Sequence, residues 1–178
     1  MSLRYAIVGL LAAKPRSGYD LAREFRSSLQ HVWNAKSGQI YPELAKLMAA
    51  GLIRERDAEP QPRGRRVYEA TEAGLEEVRS WLRDTEPDRS YRHEAMLRSF
   101  FLWLLDDEEA RGFLEREAAY HRRVLRTLEE IAGSVPAQAD SVTPSAWIPL
   151  EWGVRFEREI AEWAEWAAGQ IGVDRVAR

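Results

Sequence analysis

The sequence predicts a mainly α-helical protein with a small β-hairpin wing, in which a winged helix-turn-helix domain is followed by an all-α domain. Three observations support this fold class. Residues 37–50 have the pattern of a short helix that ends at Gly51. Two short β segments follow it, joined by a loop that holds two prolines and Gly64. Beyond residue 90, apolar residues recur at helical spacing.

Composition limits the classes of protein that are possible. The chain has 178 residues, of which 45% are hydrophobic, so it can bury the core of one or two ordinary domains. It contains no cysteine, which excludes disulfides, thiolate metal sites and thiol nucleophiles. No apolar run is long enough to span a membrane, and no basic-then-apolar leader opens the chain. We therefore expect a cytoplasmic protein that has no membrane partner.

Charge is distributed unevenly along the chain, whose formal net charge is −3. Residues 1–85 carry 14 Lys and Arg against 11 Asp and Glu, whereas residues 86–178 carry 12 against 18. An excess of positive charge in one half is expected when only that half meets phosphate. The asymmetry favours nucleic acid as a partner of the amino-terminal half.

The amino-terminal half predicts three helices before the β segments. The first covers residues 3–13 and stops before Pro15, which disfavours helix at the residue preceding it. Ser17 is the predicted N-cap of a second helix that runs to about Leu29. Its apolar residues are Tyr19, Leu21, Ala22 and Phe25. The third helix, 37–50, is expected to bury Ile40, Leu44, Leu47 and Met48.

The hairpin and a fourth helix complete this half. The predicted strands are 52–57 and 65–70, and Thr71 starts a helix whose Glu-rich first turn suits the helix dipole. The apolar residues of this helix are Val78, Trp81 and Leu82. Pro87, Asp88 and Ser90 mark a linker. We therefore expect one domain over residues 1–86 and a second over residues 91–178.

The second domain is predicted to be entirely helical. Its helices are expected at Ala95–Leu105, at about 107–132 and at about 150–170. The middle helix carries an apolar seam formed by Leu114, Ala118, His121, Leu125, Leu128 and Ala132. The last helix places a stripe on one side, formed by Trp152, Phe156, Ile160, Trp163 and Ala167, with Trp166 at its flank.

Several short motifs occur in a fixed order along the chain. They are Ser17-Gly-Tyr-Asp-Leu21, Gly38-Gln-Ile-Tyr-Pro-Glu-Leu44, Gly51-Leu-Ile53, Gly64-Arg-Arg-Val-Tyr68 with Thr71 and Gly74, Met96-Leu-Arg-Ser-Phe-Phe101 and Asp107-Glu-Glu-Ala110. In this order and spacing the chain resembles the PadR family of transcriptional regulators over nearly its whole length. The resemblance has one departure, because Gln39 stands where the family often has a small hydroxyl residue.

The resemblance implies a function. It implies a homodimeric repressor that binds an inverted-repeat operator in double-stranded DNA, with a carboxy-terminal dimerisation domain. It also implies a small aromatic or lipophilic effector that weakens operator binding from between the carboxy-terminal helices. The two-fold symmetry of a dimer places the operator half-sites about one helical turn, or a multiple of it, apart.

The third helix supplies the first set of predicted DNA contacts: Lys36, Ser37, Gly38, Gln39, Tyr41 and Lys46. Amide groups at a helix start, beside a hydroxyl and a lysine, form a phosphate-binding end. Gln39 can both donate to and accept from a base edge, so it is the best single candidate for sequence readout. The alternative is that Ser37 only caps the helix and that Lys46 is a solvated surface charge.

The hairpin tip supplies the second set: Arg63, Gly64, Arg65, Arg66 and Tyr68. Closely spaced guanidinium groups repel one another unless an anion is present, which favours contact with phosphate or with the minor groove. The alternative is a hairpin that its charge merely keeps soluble. Tyr68 can offer its hydroxyl to a phosphate or can serve only in core packing.

Tryptophan is unusually abundant, with seven in the chain, and four of them lie between residues 147 and 166. One hypothesis assigns them to helix packing and a dimer interface, where large aromatic residues contribute most of the burial. The other assigns them to a slot that receives a flat aromatic effector. The candidate residues for either role are Phe100, Trp103, His121, Trp152, Phe156, Trp163 and Trp166.

No signature of catalysis is found in the sequence. Glycine-rich phosphate loops, nucleophile elbows and metal-ligand motifs are absent. His31, His93 and His121 lie on different predicted elements, so a shared site is not expected. We predict no enzyme, no metal and no cofactor. The alternative function is a winged-helix module that binds proteins or ligands without binding DNA.

Overall fold

The computed structural model describes residues 2–27, 37–56, 66–89, 92–134 and 145–173. These residues form two compact units, divided between Asp88 and Arg89. The first unit contains α1 (Leu3–Ala13), β1 (Arg16–Ser17), α2 (Gly18–Ser27), α3 (Ser37–Ala49), β2 (Ile53–Glu55), β3 (Val67–Ala70) and α4 (Glu72–Asp84). The second contains α5 (Glu94–Ser99), a 3-10 turn (Leu102–Leu104), α6 (Asp107–Ser134) and α7 (Trp147–Ala168). The predicted fold class is confirmed.

The core of the first unit forms where three helices and the sheet turn their apolar faces toward one another. The most deeply buried large side chains are Phe25, Ile7, Leu21, Ile40, Leu47 and Ile53. Tyr68, Ala70 and Val78 pack against this cluster from β3 and α4. Helix α1 ends one residue before Lys14, as the following proline requires.

The sheet has a strand that the sequence analysis missed. Its strand order is β1-β3-β2, and both pairings are antiparallel. Strand β1 has only two residues, and Ser17 pairs with Val67 of β3. Two residues show no periodicity, so this strand had no signal of its own. Residues 57 and 65, the outer ends of the predicted strands, lie outside the described residues.

Ser17 begins α2 by a reciprocal capping arrangement. Its hydroxyl accepts a hydrogen bond from the backbone N–H of Asp20 at 3.2 Å and donates one to the Asp20 carboxylate at 2.6 Å. The backbone N–H of Ser17 also donates to that carboxylate, at 3.3 Å. A serine paired in this way with an acidic residue three positions later fixes the first helical turn. The predicted N-cap is therefore confirmed, whereas Leu29 lies outside the described residues.

Two residues join the end of α3 to the start of α4. Gly51 has φ +71°, the left-handed conformation that ends a helix, and its carbonyl accepts the hydroxyl of Thr71 at 2.8 Å. The Thr71 hydroxyl oxygen in turn accepts the backbone N–H of Gly74 at 3.2 Å. A Cβ at Gly74 would collide with the carbonyl oxygen of Leu52. This junction confirms the helix stop at Gly51 and the cap at Thr71.

One apolar side chain that the sequence predicted to be buried is exposed instead, and two other apolar residues of the predicted helices are exposed as well. Met48, from the predicted inner face of α3, is 36% exposed, whereas Tyr19 is 50% exposed and Leu82 68%. On α3 the buried face is the narrow line of Ile40, Leu44 and Leu47, and Met48 is rotated about 100° from Leu47 around the helix axis. An apolar residue at roughly helical spacing is therefore not always buried.

The second unit is built on the contact between α6 and α7, which run antiparallel to each other. Leu114, Ala118, His121, Leu125 and Leu128 of the predicted seam are buried, whereas Ala132 is exposed. Helix α7 contributes small residues to the contact, namely Gly153, Val154, Ala161, Ala164 and Ala168. It begins at Trp147, three residues earlier than predicted.

The predicted helix Ala95–Leu105 is wrong as a single element. Helix α5 ends at Ser99, whose hydroxyl donates to the carbonyl of Met96 at 2.7 Å. The following amides bond three residues back, from Phe100 to Leu97 and from Phe101 to Arg98. Side-chain hydrogen bonds of this kind compete with regular helix, and the backbone tightens into a 3-10 turn. None of the described helices is long and apolar enough to cross a membrane.

Candidate nucleic-acid interface and helical surface

Helix α3 presents a polar face because its opposite face is fixed in the core. Ile40 is 0% exposed and Leu44 is 2% exposed, which orients the whole helix. Gly38, Gln39, Tyr41 and Lys46 are then exposed, as predicted. Lys46 lies 3.6 Å from the carboxylate of Glu43 on the same helix, and its own side chain is 74% exposed. Lys36 and the side chain of Ser37 lie outside the described residues.

The wing is described only in part. Arg63, Gly64 and Arg65 lie outside the described residues, so the hairpin tip stays a prediction. Arg66 is exposed, and its guanidinium lies 3.8 Å from Glu55. Tyr68 is half-buried and packs against the core of the first unit. Of the two roles proposed for Tyr68, core packing is therefore the one that its contacts in the structure support directly.

Two further arginines stand on the exposed face of the sheet. Arg54 lies opposite Glu69, and its Nε donates to Glu69 Oε1 at 2.7 Å. Arg56 lies on the same face, 4.0 Å from Glu69 Oε2. One carboxylate therefore holds two guanidinium groups that remain 71% and 56% exposed. The alternation Ile53, Arg54, Glu55, Arg56 could have revealed this pair, because alternate residues of a strand share a face.

The second unit contains a buried histidine with a carboxylate partner. His121 on α6 is 6% exposed, and its Nδ1 lies 2.6 Å from Glu157 Oε2 on α7. The carboxylate of Glu117 lies 3.9 Å from Nε2. The His93 ring, at the start of α5, stacks on the His121 ring with centroids 6.2 Å apart.

This arrangement brings together His93 and His121, which lie on different elements and were not expected to share a site. His93 caps α5 by accepting the Met96 amide on its Nδ1 at 3.2 Å, which brings its ring to His121. The proximity depends on how α5 and α6 pack, for which the sequence carries no local signal. Among the described residues, no group of three or more His, Asp or Glu side chains is arranged to hold a metal ion.

Ion pairs also link α6 to α7 at the surface of their seam. Arg122 donates to Glu165 through Nε at 2.8 Å and through Nη2 at 2.7 Å. This hydrogen-bonded guanidinium holds the pKa of the Glu165 carboxyl below its usual value. Arg158 donates to Glu129 at 2.9 Å. The two ion pairs therefore join α6 to α7 beside the seam, seven residues apart on each helix.

The aromatic stripe of α7 lies away from this core. Trp152 and Trp166 are 54% and 57% exposed, while Phe156 and Trp163 are half-buried. Trp152 stacks on Phe156 with ring centroids 5.0 Å apart. The two exposed rings of the stripe, Trp152 and Trp166, therefore contribute little to the packing of α7 on α6.

A second apolar surface covers α5 and the 3-10 turn. Its members are exposed to an unusual extent: Leu97 60%, Phe100 72%, Phe101 53%, Trp103 77% and Leu104 64%. Large apolar side chains that are exposed together over a few consecutive residues are typical of interaction sites. Phe100 and Trp103, which were predicted to lie at a dimer interface or an effector site, are the most exposed members of this surface.

Two family models match the chain. Residues 7–80 match the "Transcriptional regulator PadR-like family", and residues 91–171 match the "Virulence activator alpha C-term". The negative transcriptional regulator PadR of Bacillus subtilis is 29% identical over 97% of this chain and 98% of its own length.

Solved structures of that regulator are similar to this chain in fold. Bacillus subtilis PadR in complex with operator DNA superimposes with a TM-score of 0.85 and 28% identity, over 96% of this chain and 99% of that one. The same regulator in complex with p-coumaric acid gives a TM-score of 0.81 and 28% identity, over 97% and 100% of the two chains.

We expect the buried His121–Glu157 contact to be worth more than the exposed ion pairs beside it. Replacing Glu157 by Leu leaves the Nδ1–H of His121 without its acceptor, which costs about 1–3 kcal/mol of unfolding free energy. Adding His121→Leu should recover part of that loss, because the orphaned donor is then removed as well. Urea unfolding of the four proteins in the double-mutant cycle measures the coupling energy.

The matched control is Arg158 with Glu129, which joins the same two helices but is nearly half-exposed. Its coupling should be about 0.2–1 kcal/mol. A His121–Glu157 coupling energy no larger than that of the control pair would contradict the expectation that the buried contact contributes more to stability.

Proposed function

Through residues 7–80 the chain belongs to the PadR-like family of transcriptional regulators, and we propose that it is a sequence-specific DNA-binding repressor. The observation that carries the proposal is the polar face of α3, which the burial of Ile40 and Leu44 turns outward. It is supported by the likeness of the chain to a negative regulator whose structure with operator DNA has been solved. No residue of the chain is assigned a catalytic role.

Helix α3 would enter the major groove. Gln39 would read a base edge with its paired donor and acceptor, and Tyr41 and Lys46 would contact phosphates. Lys36 and Ser37 would hold a further phosphate at the helix start. Contacts to phosphate position the protein, so sequence preference would rest mainly on Gln39.

The wing would contact the DNA backbone or the minor groove beside the same half-site. Its tip would contribute Arg63, Arg65 and Arg66 around Gly64, with Tyr68 supporting the hairpin from the core. Arginine suits this role because its planar guanidinium stays charged and forms paired hydrogen bonds to phosphate oxygens. The excess of positive charge in residues 1–85 accords with such contacts.

The second unit, residues 91–178, would hold a homodimer, with help from α1. Two surfaces of this unit expose large aromatic side chains, Phe100 and Trp103 on one and Trp152 and Trp166 on the other. Such exposure of apolar side chains is unfavourable in an isolated chain. A second copy of the chain would cover them, and a two-fold axis would set the recognition helices against an inverted repeat. The protein would carry out this role in the cytoplasm.

A small aromatic acid would act as the effector. A relative with 28% identity has been solved with p-coumaric acid, and this chain carries half-buried Phe156 and Trp163 beside exposed tryptophans. Flat rings of this kind would stack on an aromatic ligand. Binding would lower operator affinity by favouring a dimer in which the two recognition helices are wrongly spaced.

The wing assignment predicts a change in salt dependence. Affinity for DNA falls as salt rises, so the plot of log affinity against log salt has a negative slope. Replacing Arg63, Arg65 and Arg66 together by Ala should reduce the magnitude of this slope by roughly two to three per bound subunit, because fewer phosphate counterions are released. Fluorescence anisotropy with duplex DNA over a range of salt concentrations gives the slope. The charge-matched control replaces Arg116, Arg123 and Arg126 of α6 and should leave it unchanged. An unchanged slope in the wing variant would favour a winged-helix module that does not use its wing on DNA.

The dimer assignment predicts which apolar residues hold the subunits together. The wild-type protein should sediment as a dimer at micromolar concentration. Replacing Phe100 and Trp103 by Ser should raise its dissociation constant about tenfold or more, since exposed aromatic residues dominate the energy of such interfaces. Leu82→Ser is the control, because Leu82 is equally exposed but lies on α4. A wild-type monomer at this concentration would refute the dimer.

The effector assignment predicts linked binding. p-Coumarate should quench tryptophan fluorescence and weaken DNA binding, and DNA should weaken p-coumarate binding by the same factor. Trp163→Phe and Trp166→Phe should reduce the quenching, and acetate at equal concentration should have no effect. Quenching that leaves DNA affinity unchanged would instead identify a ligand-binding module whose DNA domain is not controlled by the ligand.

A further inference from the structure

We propose that Gly18 is a positioning residue for Tyr41, an inference that rests on the proposed contact of Tyr41 with DNA. An ideal Cβ built on Gly18 would lie 2.7 Å from Cε1 of the Tyr41 ring and 3.3 Å from its Cδ1. It would also lie 3.3 Å from Leu44 Cδ1. The Tyr41 ring therefore rests directly on the first turn of α2, in space that any side chain at residue 18 would occupy.

The need for glycine at this position is one of space and not of backbone conformation. Among the described glycines, positive φ values occur only at Gly51 and Gly172. Gly18 is the first residue of α2, where alanine is readily accommodated. A Gly18→Ala variant therefore tests the contact with the ring without straining the backbone.

The first turn of α2 cannot retreat from an added methyl group. Ser17 is 4% exposed, is paired with β3, and shares reciprocal hydrogen bonds with Asp20. Leu44 is in the core and is likewise fixed. Of the first turn of α2, Leu44 and Tyr41, only Tyr41 can move easily, because its side chain is 53% exposed. An added Cβ would push its ring outward, toward the surface proposed to meet DNA.

This geometry separates a positioning role from a purely structural one. If Gly18 only allows close packing in the core, Gly18→Ala should lower stability whether or not a tyrosine is present at residue 41. If Gly18 seats the ring, stability should change little while DNA affinity falls. The effect on affinity should disappear once the Tyr41 ring has been removed.

A double-mutant cycle tests the proposal. The four proteins are wild type, Gly18→Ala, Tyr41→Ala and the double variant, each measured by anisotropy on the duplex that the wild type enriches from a random-sequence DNA pool. We expect Gly18→Ala to weaken binding roughly threefold to tenfold in the wild-type background, and less than twofold in the Tyr41→Ala background. Urea unfolding of the same four proteins shows whether stability follows affinity. Gly133→Ala is the control, because a Cβ there meets no atom within 4 Å.

A measurement without DNA keeps this proposal distinct from the proposed function. In the free wild-type protein, the Tyr41 ring protons should show nuclear Overhauser contacts to the Gly18 α protons. If these contacts are absent, or if Gly18→Ala acts equally in both backgrounds, the positioning role is refuted. If they are present and the wild type enriches no DNA, the proposed function fails while the packing of the ring on Gly18 stands.

Discussion

The arrangement of the amino-terminal unit depends on one buried serine. The backbone of Ser17 pairs with Val67 in the sheet, and its side chain exchanges hydrogen bonds with Asp20 at the start of α2. Ser17 therefore holds both strand β3 and the start of helix α2. The next residue, Gly18, contacts α3. Local contacts of Ser17 and Gly18, and not the core alone, therefore link strand β3 to helices α2 and α3 in this unit.

Local signals were strong enough to predict most of the first unit. The sequence predicted that Gly51 ends a helix and that Ser17 and Thr71 each start one. All three residues act in this way in the structure. The direction of α3 followed from the spacing of Ile40 and Leu44. Contacts made between distant segments were not predictable in this way. Strand β1 is defined by its pairing with β3, and the stacking of His93 on His121 joins residues 28 positions apart in the sequence.

The second unit illustrates how an apolar sequence can mislead. Residues 95–105 were predicted as one apolar helix because they are rich in leucine and aromatic residues, yet the helix ends at Ser99, and Phe100, Trp103 and Leu104 are among the most exposed side chains. Meanwhile the buried residues on the α7 side of its contact with α6 are Val154 and four alanine or glycine residues. Small residues let two helices approach closely, so they filled the interior and left the large aromatic residues outside. Hydrophobicity alone did not distinguish a core from an interface.

The division of α3 into two faces has a consequence for how such a protein could acquire new targets. Ile40, Leu44 and Leu47 maintain the fold, while Gln39 and Lys46 face away and make no contribution to the core. Under the proposed function, these outward residues could therefore be exchanged to redirect the protein to another DNA sequence at little cost in stability. Tyr41 is the exception, since its ring touches Gly18 on the neighbouring helix. Gly18 can therefore acquire a side chain without a clash only after the Tyr41 ring is replaced, which links the order of changes at these two positions.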